Sequence, residues 1–144
     1  ANGTSLASFD FTVNDTGTGT VSAQMTVNVT AVNDAPINTV PGTQTVVEET
    51  QTAISGISVS DVDADSALIS VDLTVTNGIL NATASGGATI ALYSDSHLEI
   101  TGNIVDVNAA LATLKYTGNT DVTGTNADTL TIATSDLGNS GAGG

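Results

Sequence analysis

The sequence predicts an all-β protein, and three observations carry that expectation. Thr, Val, Gly, Asn and Ser dominate the 144 residues, a mix that favours strands and turns over helices. Apolar residues make up 40% of the chain but aromatics only 3%, so a core must be built from Val, Ile, Leu and Ala. Period-two alternation recurs, most cleanly in residues 23–31, AQMTVNVTA, where Ala23, Met25, Val27, Val29 and Ala31 fall on one face and Gln24, Thr26, Asn28 and Thr30 on the other.

Taken in order, Phe9, Phe11 and Val13 alternate with Asp10 and Thr12, and the turn NDTGTG at 14–19 joins this run to the strand at 23–31 as a hairpin. Val32-Asn33-Asp34-Ala35-Pro36 then breaks the pattern. New strands are expected at 44–48, 53–60, 68–75, 88–93, 97–101, 113–117 and 129–134, with tight turns at Asn77-Gly78 and Gly86-Gly87. Within 68–75, LISVDLTV, the residues Ile69, Val71, Leu73 and Val75 face inward and Asp72 outward. Only 106–114, DVNAALATL, has helical character, with Asp106 as the expected N-cap of one or two turns near 106–112.

Charge narrows the function. Fifteen acids stand against Lys115 and no Arg, for a net charge of −14, the wrong sign for nucleic acid or an anionic membrane surface. No run of about 20 apolar residues could cross a bilayer, and Cys is absent, which removes disulfides and thiolate metal sites. No initiator Met or signal-like segment is present, so the chain reads as a piece of a longer protein.

An internal echo suggests how that protein is organised. Residues 9–17, FDFTVNDTG, match 130–138, LTIATSDLG, in pattern, with Asp15 and Asp136 121 positions apart. A tandem repeat of that period explains the echo. Residues 1–33 then form the closing hairpin of a preceding repeat, 34–36 a linker, and 37–144 the next repeat, cut before its last strand. A sandwich lacking an edge strand exposes unpaired backbone, so the hairpin at 5–31 is a candidate to fill that gap, in its own chain or in a neighbour.

The acids also cluster. Ser60-Asp61-Val62-Asp63-Ala64-Asp65-Ser66 places three carboxylates at alternate positions. It is open to three readings: a solvated acidic turn, a helix–loop–helix calcium loop, or a calcium site at the end of a sandwich. In the second, Asp61, Asp63, Asp65 and Asp72 match loop positions 1, 3, 5 and 12. Ser66 stands where that loop needs Gly, and the flanks alternate with a period of two.

The third reading meets a family resemblance. TVNDTGTGTVSAQMTVNVTAVNDAP at 12–36 resembles the closing strands and Asn-Asp linker of a cadherin-type repeat, and SVSDVDADSALISVDLTV at 58–75 resembles its Asp-Ala-Asp loop and third strand. With VEET near the repeat start, NAALATLKYTGN and DTLTIATSD, the order of motifs is similar to the cadherin-like repeats of giant secreted bacterial adhesins, including the repeats-in-toxin type. The resemblance implies an Ig-like, antiparallel Greek-key β-sandwich that holds Ca2+ between successive repeats. It implicates Asn33 and Asp34 in the linker, Asp63 and Asp65 in the loop and Asp136 at a strand end, with Asp61 in place of a lost ligand. Asp15 takes the role of Asp136 for the preceding repeat, and Glu48 or Glu49 faces the far end. The linker departs from animal cadherins at Ala31 and Ala35, and the Leu-Asp-Arg-Glu motif has no counterpart around 110–113, so fewer ions per junction are expected.

Calcium suits these residues on chemical grounds as well, since it takes six to eight oxygens from carboxylates and carbonyls. His97, the only histidine, shares an exposed strand face with Glu99 and lacks a second His or Cys for zinc. Tyr93 and Tyr116 read as core or edge packing residues. One His and one Lys offer scant means of activating a hydroxyl, so no enzyme is expected. The expected function is a calcium-binding extender repeat of a secreted or cell-surface adhesin, serving cell adhesion and biofilm formation. Its partners are neighbouring repeats of the same polypeptide, with weak self-association or strand exchange besides. The alternative is a carbohydrate- or self-binding module.

Overall fold

The computed structural model describes residues 6–14, 17, 20–28, 32–64 and 66–138. Eleven strands and one short helix follow in order: β1 (Leu6–Asn14), β2 (Thr20–Asn28), β3 (Ile37–Thr39), β4 (Thr52–Ala53), β5 (Ser58–Ser60), β6 (Ile69–Thr74), β7 (Gly78–Asn81), β8 (Thr89–Ser94), β9 (His97–Gly102), α1 (Ile104–Leu111), β10 (Lys115–Gly118) and β11 (Thr131–Ser135). The pairings are antiparallel throughout. Among the described residues the chain is therefore all-β with one helix, and no helix is long and apolar enough to cross a membrane.

Two sheets build the main body, one ordered β11-β6-β9-β8 and the other β4-β10-β7, while β3 pairs with β5 and β1 with β2. Alternation explains the core between them. Ile69, Val71 and Leu73 of β6 and Leu98 and Ile100 of β9 are fully buried, and Leu80 of β7 and Tyr116 of β10 join the same cluster. Val107, Ala110, Leu111 and Leu114 extend it under α1. Burying a side chain of Leu or Ile size is worth roughly 1.5–3 kcal/mol, so this aliphatic cluster is the main source of stability.

The helix cap lies three residues before the expected one. Asn103 Oδ1 accepts the Asp106 N–H at 2.9 Å, and Asn103 Nδ2 donates back to Asp106 Oδ2 at 2.8 Å. Asp106 is thus a first-turn acid stabilised by the helix dipole, and Asn103 is the cap. From the same helix Asn108 pairs with the backbone of buried Val59, accepting its N–H and donating to its carbonyl, both at 2.8 Å. A side chain there does for β5 what a neighbouring strand would do.

One expected strand is absent. Residues 44–48 carry strand-forming Thr and Val yet belong to no sheet among the described residues. They run beside an open cleft, and strand geometry without a hydrogen-bonding neighbour is not a sheet.

Candidate functional site

The end of the body where β11 finishes gathers most of the candidate ligands. β11 pairs with β6 through Ser135 opposite Ser70, which brings Asp136 beside the start of β6. Asn33 reaches this point from the linker: its Nδ2 donates to Asp136 Oδ2 at 2.6 Å, and both residues are buried. That contact fixes the amide orientation, because the flipped amide would set oxygen against carboxylate. Asn33 Oδ1 is left buried with no hydrogen-bond partner.

The acidic loop lies next along the linker. Asp34 donates its backbone N–H to Asp63 Oδ2 at 2.6 Å, while its own side chain is exposed. Asp61 Oδ1 accepts the N–H groups of Asp63 and Ala64, at 2.8 and 3.1 Å, an Asx turn of the kind Asp favours. Its other oxygen, Oδ2, is buried without a partner. A groove of about 330 Å³ lined by Asp34, Ala35, Ile37, Ser60, Asp61 and Val62 opens beside it.

Asp136 is held by two donors, the Asn33 amide and the Gly138 N–H at 2.9 Å. These hydrogen bonds, that of Asn33 above all, keep its carboxyl below the ordinary carboxylate value against the opposing effect of burial. It is therefore ionised at neutral pH, beside a buried amide oxygen. The end thus joins Asn33 to Asp136 and Asp34 to Asp63, with Asp61 turning the loop. Asp65 and Asp15 lie outside the described residues. Among the described residues no three carboxylate or imidazole side chains converge as a ready metal cluster, so the amide and main-chain oxygens count in any donor set.

Glu48 and Glu49 sit at the opposite end of β6. Glu49, with φ 55°, donates its N–H to the Gly118 carbonyl at 3.0 Å, and its Oε1 accepts from Thr120 Oγ1 at 2.8 Å. Glu48 Oε2 is buried with no hydrogen-bond partner. Nearby, Asp128 accepts from the N–H groups of Thr76, Asn77 and Thr129 and from the Tyr116 hydroxyl. Burial pushes its carboxyl up, but these four hydrogen bonds outweigh burial and hold it below the ordinary value. The Tyr116 phenol is pushed up to about 12, by burial first and by Asp128 second. Sequence reasoning passed over Asp128, although an Asp just before a strand is a turn-capping signal.

On the outer face of the four-stranded sheet, His97 Nε2 lies 2.9 Å from Asp72 Oδ1, the carboxylate accepting. Tyr93 donates its hydroxyl to Glu99 at 2.5 Å and stacks obliquely on His97 with ring centroids 4.8 Å apart. Of the two tyrosines read as core or edge packing residues, Tyr93 is exposed on the edge strand β8, against His97, and Tyr116 is in the core. His97 thus has a carboxylate partner on the sheet surface. The one basic side chain, Lys115, is exposed on β10 in the other sheet.

Comparison with protein families, with curated proteins and with solved structures finds no match to this chain.

Proposed function

We propose that the chain is a calcium-binding structural repeat, an extender of a secreted or cell-surface adhesin in which Ca2+ stiffens the junction between successive repeats. One observation carries the reading: at the end where linker and acidic loop meet, Asn33 Oδ1 and Asp61 Oδ2 are buried oxygens with no donor. A buried acceptor without a partner costs about 1–3 kcal/mol, and a hard cation that accepts only oxygen ligands removes that cost. Asn33, Asp34, Asp61, Asp63 and Asp136 would supply the near side of such a site, with Asp65 as a further carboxylate. Asp15 would serve the preceding junction, and Glu48 and Glu49 the following one.

In this reading the sheets form an Ig-like Greek-key sandwich of the cadherin-like kind, and the mechanism is linkage. A cation bound by residues of both linker and loop stabilises the arrangement in which they are held together, and it releases the junction when calcium is withdrawn. The role is mechanical and extracellular, and no catalysis is assigned to any residue.

Calorimetric titration of the chain with calcium tests this, using Asp61→Asn as the variant. The amide keeps the Oδ1 acceptor of the Asx turn and changes only the orphaned oxygen. Calcium binding by the parent, weakened at least tenfold in the variant, is expected. Equal binding by both proteins would contradict the site, and binding by neither would favour a plain spacer.

A further inference from the structure

Among the described residues β11 is an edge strand that pairs with β6 on one side and with no strand on the other. Beside it lies a cleft of about 720 Å³ between residues 40–48 and 122–132, whose lining is mixed, with Val46, Ile54, Ile57, Val75, Leu130 and Ile132 on its apolar side and Glu48 and Asp128 among its polar residues. Across the cleft, residues 43–46 form no backbone–backbone hydrogen bond among the described residues. A partly apolar cleft flanked on both sides by unpaired backbone is a site for an added strand, whose main chain pairs with the edge and whose alternate side chains reach the apolar side of the cleft.

The chain carries a strand suited to it. Residues 9–17 echo 130–138, so β1 corresponds in pattern to β11, and the partner of β1 is β2. Their register sets Phe9 opposite Met25, Phe11 opposite Ala23 and Thr12 opposite Ser22. Shifted by the 121-residue echo, the same register sets Leu130 opposite Met25, Ile132 opposite Ala23 and Ala133 opposite Ser22. β2 is also available, because β1 and β2 form a sheet of two strands, and a two-stranded hairpin alone is marginal in water. Met25 and Val27, on one face of β2, are 49% and 37% exposed.

Paired along the whole of residues 20–28, with 127–130 extended in line with β11 (Thr131–Ser135), the strand cannot come from the same molecule. In that register Asn28 would lie opposite Ala127, nine positions from Asp136, about 30 Å along a strand. Asn33, bonded to Asp136 at 2.6 Å, is five positions from Asn28, a reach of at most about 18 Å. We infer that β2 of one molecule leaves β1 and docks antiparallel on β11 of a second copy, closing the cleft as a fifth strand of the four-stranded sheet. Given reciprocally the exchange closes a dimer, and given head to tail it builds a chain of copies. The inference does not depend on calcium.

The test uses two single-cysteine variants of the full chain, Ser22→Cys and Ala133→Cys, in a protein that has no other cysteine. Mixed and mildly oxidised, they are expected to give a covalent heterodimer several-fold more abundant than the dimers either forms alone, and an excess of a synthetic peptide of residues 20–28 is expected to suppress it. Light scattering of the parent should show a mass that rises above the monomer with concentration. A mixture that cross-links no better than the separate variants overturns the inference. So does an intramolecular disulfide in the double variant, or a parent that stays monomeric across the same range.

Discussion

At the residue scale the account rests on which oxygens have donors. Asn33 spends its amide N–H on Asp136 and leaves its carbonyl oxygen buried, and Asp61 spends one carboxylate oxygen on its turn and leaves the other. Asp63 differs, because its Oδ2 holds the Asp34 N–H. Asp63→Ala should therefore lower the melting temperature in chelator as well as in calcium, with the larger fall in calcium, whereas Asp61→Asn should lower it in calcium alone. Differential scanning calorimetry of both variants under both conditions checks this contrast. Asp136 adds a pH dependence whose sign is fixed by its depressed pKa. Its contribution is present above the ordinary carboxylate value near 3.8 and is lost as pH falls through the lower folded value. The melting temperature in chelator should fall on acidification from about pH 5 to about pH 2.5, and Asp136→Asn should flatten part of that limb. Tyr116, pushed up to about 12, should remain neutral in alkali well after a free phenol ionises. Tyr116→Phe removes its bond to Asp128, at a cost of about 1–2 kcal/mol in urea unfolding.

At the scale of elements, α1 replaces a strand with a side chain. Asn108→Ala would leave the N–H and carbonyl of Val59 unpaired in a buried place, and a loss of about 2–3 kcal/mol by urea unfolding is expected. Asn108→Asp keeps the acceptor for the Val59 N–H but sets a carboxylate oxygen against the Val59 carbonyl, and it should lose at least as much. Gly78 makes a second test: a Cβ there would collide with the Tyr116 ring, so Gly78→Ala should cost about 1–3 kcal/mol. Much of this architecture was legible in the sequence, because burial is written in the period of two. Ile69, Val71 and Leu73 read as inward, and they are buried. What was not legible depends on partners distant in the chain. Residues 44–48 have the composition of a strand, but composition does not provide a neighbour. The helix cap moved from Asp106 to Asn103 because both residues have capping side chains and the start is decided by where β9 ends. The candidate site was visible as a cluster of acids near the linker. Its informative feature, the orphaned oxygen of Asn33, follows from a contact across 103 positions, and local sequence does not reveal such a contact.

At the scale of the whole molecule, a net charge of −14 with one basic side chain means that carboxylates gathered in a loop must find their counter-charge in solution. Like charges at close range repel, and on the proposed reading a bound divalent cation would turn that repulsion into a linkage between folding and calcium. The most direct measurement is a thermal melt of the chain in excess chelator and across a millimolar calcium titration, with magnesium as control. Stabilisation should grow with calcium and reach about 2.7 kcal/mol when calcium is a hundred times its dissociation constant. For a unit of this size that corresponds to a rise in melting temperature of several degrees, and magnesium, which demands a tighter octahedral shell, should give little. A melting temperature that stays constant through the titration, or rises equally in magnesium, would contradict a calcium site built by Asn33, Asp61, Asp63 and Asp136.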